Sequence, residues 1–209
     1  MARGRPRTFD KERALDAALA VFWRRGYHGA SLTELTRVMG ISKPSLYAAF
    51  GNKERLYLAA LQRYRERRLA VHADVLAVEP DLKKALRGFL RSVATMLTEP
   101  GLPGGCMVVN SAASCDRTTL PSRVIDAIDE SIQVSSLGLL KGRLEEGLRR
   151  RTLPEGTLVG ELADYLAAFM SGMAVLAKTG VTADRLFATI EHALRALPDP
   201  DPNTESVEG

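Results

Sequence analysis

Residues 31–57, SLTELTRVMGISKPSLYAAFGNKERLY, carry two consecutive sets of helix start and stop signals, and few local structures satisfy both. Ser31 followed three residues later by Glu34 is a capping box, which predicts a helix starting at Leu32. Leu32, Leu35, Val38 and Met39 fall at helical spacing and mark the face to be buried. Gly40 supplies the left-handed backbone that ends a helix, because it has no Cβ to clash. Ile41 plugs the turn and Ser42 caps the next helix, with Pro44 in the first turn, where its missing N–H is not needed. The pattern is a helix-turn-helix whose second helix, about Lys43 to Phe50, suits a DNA major groove. Two short core helices of an all-α domain carry the same punctuation, so the rest of the chain must decide.

Three features favour nucleic acid. The outward positions of the second helix, Lys43, Ser45 and Ala48, are small or basic, which lets the backbone approach a duplex and Lys43 meet a phosphate. Residues 1–70 hold 15 Lys and Arg against 6 Asp and Glu, whereas the remainder holds 14 against 19, so the positive charge is local. The leading ARGRPRTF places Arg3, Arg5 and Arg7 around Gly4 and Pro6, a composition suited to an arm along the backbone or in a minor groove.

At 209 residues the chain holds one or two domains with a substantial core. Its longest strongly apolar run, Tyr165 to Ala177, is 13 residues, short of the ~18 that span a bilayer. With no signal-peptide pattern at the N-terminus, a cytoplasmic protein is expected and a membrane partner is not. Cys106 and Cys115 lack paired spacing, and His28, His72 and His192 are scattered, so neither a disulfide scaffold nor a metal site is expected. No P-loop, dinucleotide fingerprint or GxSxG elbow is present, so neither an enzyme nor a cofactor is expected.

The coarse reading is all-α throughout. Asp10 caps a helix from Lys11 to about Arg25, ended by Gly26. Asn52 caps a long helix running towards Val78, which bridges to a second domain, and Asp81 to Thr98 follows. After the PGLPGG break come a short helix from Cys106 to Ser114, one long helix from Pro121 to Arg149–Arg151, another from Glu155 to Lys178, and a last helix capped by Thr182. The domains expected are 1–57 for DNA binding with a basic arm, 58–197 for an all-helical second domain, and a disordered acidic tail at 198–209.

A helix, this helix-turn-helix and YAAFGNKERL running into a bridging helix closely resemble the TetR/AcrR family of bacterial transcriptional regulators. Phe22, Gly26, Ser31, Leu35, Gly40, Ile41, Ser42, Leu46, Tyr47, Phe50, Lys53, Glu54 and Leu56 carry the resemblance. It implies an all-helical homodimer on a palindromic operator, acting as a repressor released when a small molecule enters the second domain. It further implies phosphate contacts by Ser31, Thr33 and Lys53, and groove contacts by Lys43, Ser45 and Tyr47. Many relatives have glycine or alanine at Pro44, which instead can pack on a thymine methyl.

In the second domain Leu158, Leu162, Tyr165, Leu166, Phe169, Leu186, Ile190 and Leu194 read either as plain core or as a four-helix dimer interface with small residues between. Met96, Cys106, Met107, Asn110, Phe169, Met170 and Met173 are candidates to line a ligand pocket for a mostly apolar effector. Cys106 opens its helix, where the N-terminus favours a thiolate, so thiol modification is the alternative control to a noncovalent ligand. A DNA-binding regulator with no small effector is the other alternative.

Overall fold

The carboxylate of Asp10 accepts from the backbone N–H groups of Glu12 and Arg13 and so starts the chain's first helix. The computed structural model describes residues 9–133 and 137–199, so the Arg3, Arg5 and Arg7 arm and residues 200–209 lie outside the described residues. The described elements are all helical: α1 (Lys11–Gly29), α2 (Leu32–Met39), α3 (Lys43–Phe50), α4 (Lys53–Tyr64), α5 (Ala70–Val78), α6 (Leu82–Leu97), α7 (Met107–Ala113), α8 (Ser122–Ile132), α9 (Gly138–Arg149), α10 (Val159–Lys178) and α11 (Ala183–Arg195).

Local signals become local geometry over the first three helices. Ser31, Ser42 and Asn52 accept from the N–H groups of Glu34, Ser45 and Arg55, and Gly40 is left-handed at φ 67°. The capping box is only half closed, because Glu34 turns its carboxylate to Arg25 at 2.9 Å. Gly26 interrupts α1 at φ 68°, and the chain then makes one more helical turn to Gly29. α2 and α3 pack on the platform of α1 and α4, sealed by Phe22, Leu35, Leu46, Leu56 and Tyr57. Phe22 and Tyr57 meet edge-on at 5.1 Å, as do Trp23 and Tyr64 at 4.9 Å, each pair adding about 0.5–1.5 kcal/mol beyond its buried area. Buried Arg63 crosses from α4 to α1, donating to Asp16 through Nη2 at 2.7 Å and pairing with Glu12.

The bridging helix is one rod in three parts: α4, a π-helical turn at Arg65–Leu69, and α5. A single π turn widens the ladder and resets the faces on either side. The guanidinium of Arg143 on α9 then closes the end of α5, donating to the carbonyls of Leu76, Glu79 and Pro80. Around α6, whose apolar stripe is fully used, gather α5, α10 and α11.

Across the expected helix from Pro121 to Arg149, α8 and α9 are described up to Gln133 and from Leu137, both with right-handed helical backbone, and residues 134–136 lie outside the described residues. One boundary differs from the sequence reading. α10 begins at Val159, because Pro154 to Leu158 form a turn closed by the Thr157 hydroxyl on the Pro154 carbonyl. Thr182 occupies the cap of α11 but makes no side-chain bond there. α10 is also long and apolar enough by composition to cross a membrane, a length that the 13-residue run understated.

Candidate DNA-reading face and effector cavity

α3 is held from behind by Leu46 and Phe50, which are buried, so its opposite face is free. Lys43, Pro44, Tyr47 and Ala48 are all exposed on that face. Tyr47 is 45% exposed, a large aromatic left on the surface of a two-turn helix, where a core role would have hidden it. Ser45 is half-buried, with its hydroxyl bonded to that of Ser42 at 2.9 Å. Ser31 and Thr33 lie exposed at the start of α2, where unpaired backbone N–H groups favour anions.

Lys53 opens α4, its ammonium 4.6 Å from the centre of the Tyr27 ring. Burial draws its pKa below the ordinary lysine value. Arg13, Arg24 and Arg37, which the sequence reading did not single out, are exposed cations of the first domain that make no ion pair among the described residues. Their only sequence signal was the regional excess of charge, which does not say which cations are paired.

The second domain encloses an apolar cavity of about 70 Å³ among α5, α6, α7, α8 and α10. Phe89, Met96, Val109, Ile132 and Met170 are among its apolar lining, with His72, Ser131 and Ser171 as polar points. Nε2 of His72 lies 3.3 Å from the sulfur of Met96 while Nδ1 meets the Ser92 hydroxyl, and burial lowers its pKa, which favours the neutral ring.

Of the seven pocket candidates, Met96, Cys106 and Met170 line this cavity. Met107, Asn110, Phe169 and Met173 do not. Met107 and Met173 are core, and the Asn110 amide points away, donating to the Trp23 carbonyl at 3.4 Å. His72 was missed, although it continues the buried stripe of the bridging helix through Tyr57, Leu61 and Tyr64. The expected thiolate is reversed at Cys106, since burial pushes the thiol's pKa up, beyond what the Tyr64 hydroxyl at 3.4 Å and the helix N–H groups recover.

The interface candidates separate cleanly. Leu166 of α10 is buried within the chain, and so are Leu186, Ile190 and Leu194, because α11 spends its apolar stripe on α6. Leu158, Leu162, Tyr165, Phe169, Gly172 and Leu176 instead follow a four-three spacing along α10, each exposed or half-buried. A 3.5-residue repeat of this kind suits packing against another helix.

Two family models cover most of this architecture. Residues 14–60 match "Bacterial regulatory proteins, tetR family", and residues 83–197 match "Tetracyclin repressor-like, C-terminal domain". The chain belongs to the TetR family. It is therefore a DNA-binding transcriptional regulator of the helix-turn-helix class. The TetR chain is 32% identical over 199 residues to the HTH-type transcriptional repressor ComR of Escherichia coli, covering 95% of this chain and 93% of ComR. It is 29% identical to the repressor BdcR of the same organism, over 93% and 92% of the two chains. It also superposes, at a TM-score of 0.86 and 39% identity, on a cysteine mutant of the TetR family regulator CifR complexed with 26-bp double-strand operator DNA, covering 93% of this chain and all of that one.

Proposed function

We propose that this TetR-family regulator is a dimeric repressor that reads a palindromic operator through α3 and leaves it when a small, mostly apolar molecule fills the cavity. The exposed outer face of α3, with Lys43, Pro44, Tyr47 and Ala48 on a helix pinned only from behind, carries the reading. Ser31, Thr33 and Lys53 flank it as phosphate contacts, in line with a relative that was solved on operator DNA. Pro44 offers no N–H and packs on a thymine methyl. The α10 seam supports dimerisation, and two copies of α3 then address half-sites roughly 34–36 Å apart. The cavity's neutral, sulfur-rich and aromatic wall supports an uncharged effector, and the protonated, buried Cys106 supports noncovalent occupancy over thiol modification. The protein acts in the cytoplasm, where its DNA is.

Selection from random duplex DNA at two salt concentrations tests the proposal. It predicts an inverted repeat that is retained at the higher salt. Binding without sequence preference that vanishes at the higher salt would refute operator reading and leave only charge attraction.

A further inference from the structure

We infer that Gly105 and the indole of Trp23 form a latch through which the cavity sets the position of the DNA-reading helices. The inference rests on the effector-controlled reading above and names how that control reaches the DNA.

Gly105 lies between the two domains. Its N–H donates to the Leu97 carbonyl at 2.9 Å, and its own carbonyl accepts from Trp23 Nε1 at 3.2 Å. The backbone there is left-handed at φ +66°, and an added Cβ would lie 2.7 Å from the Ala174 carbonyl oxygen. The peptide is thus pressed onto α10 at a distance only glycine permits. Leu97, Cys106 and Ala174, the groups around it, all line the cavity. The peptide that holds Trp23 is therefore built into the cavity wall.

On the other side, Trp23 belongs to α1 and is buried against Tyr64 of α4. Two further bonds run from these helices to α7, Asn110 Nδ2 to the Trp23 carbonyl at 3.4 Å and Tyr57 Oη to Ser111 Oγ at 2.8 Å. Beside Tyr57 and Ser111 lies a crevice of about 190 Å³, so at that point the layers meet through bonds rather than continuous packing. A buried indole N–H must keep an acceptor. When α10 and the end of α6 move apart around an occupant, Gly105 shifts, and Trp23 follows it to keep its acceptor. α1 carries Trp23, and α1 with α4 holds α2 and α3, so their tilt changes. The occupant acts only through its better fit to the shifted form.

A double-mutant cycle tests this without the natural effector. Ala167 lines the cavity from α10, two turns before Ala174, so Ala167→Phe serves as a built-in occupant. Affinity for the selected operator is measured in the wild type, Ala167→Phe, Trp23→Phe and the double variant, with melting temperature as the folding control. The latch predicts that Ala167→Phe weakens binding at least 10-fold alone and less than 3-fold when Trp23 is phenylalanine. An Ala167→Phe penalty equal in both backgrounds overturns the latch. Unchanged operator affinity in Ala167→Phe overturns effector control itself, and the latch with it. Should a variant fail to fold, Ser171→Leu replaces the filler and Tyr57→Phe replaces the cut, with the same expected and contrary results.

Discussion

Lys53 shows how one residue serves both fold and function. Its ammonium rests over the Tyr27 ring, which ties the end of α1 to the start of α4, while the charge sits at a helix N-terminus. Lys53→Ala and Lys43→Ala are each predicted to weaken operator binding across sequences and to lower the salt slope by about 1, read from affinity at several salt concentrations. An unchanged slope contradicts the phosphate role. Cys106 makes the opposite point, because its backbone position promised a thiolate and its surroundings deny one. Alkylation of the native protein is predicted to modify half-buried Cys115 first and Cys106 only as the protein unfolds, a difference that mass mapping of the labelled thiols reads directly. Capping residues were legible because a cap is settled within four residues of chain. Asn110 and Trp23 were not, since their partners lie 87 residues apart and only the tertiary fold brings them together.

Among the elements, α1 and α4 are joined by polar chemistry at one end and aromatic packing at the other. The Arg63 guanidinium beside Asp16 holds that carboxyl below its ordinary range, so this pair stabilises above the ordinary aspartate pKa and is lost as pH falls through the lowered value. Half-exposed Asp16 keeps the effect to about 1 kcal/mol. Arg63→Met is therefore predicted to lower the urea midpoint at pH 7 and to flatten the loss of stability below about pH 4, measured as midpoints across pH. A parallel loss at all pH values would contradict the assignment. For α10 and α11, the sequence showed two apolar stripes but not which one the chain buries itself. Periodicity marks a face and leaves its partner open. The fold spends α11 on α6 and leaves the α10 stripe uncovered within the chain. Tyr165→Asp and Leu176→Asp are predicted to give folded monomers by sedimentation, with operator binding reduced by more than 10-fold. Dimers that persist in both variants would contradict the seam.

For the whole molecule, the two ends of the rod Lys53–Val78 serve different masters. α4 carries the DNA-reading head and α5 carries His72 into the cavity wall, with a π turn between them. The helix-turn-helix, the all-α class and the division of labour were readable in the sequence because they rest on local punctuation and regional charge. The cavity was not, since five helices contribute to it from sequence positions more than a hundred residues apart. The central claim is that two copies of α3, spaced by the α10 seam, read one operator. Hydroxyl-radical and major-groove methylation footprints on the selected duplex test it most directly. The account predicts two protected major-groove windows on one face of the DNA, roughly 34–36 Å apart and related by the operator's symmetry. A single window, or protection without symmetry, would contradict it.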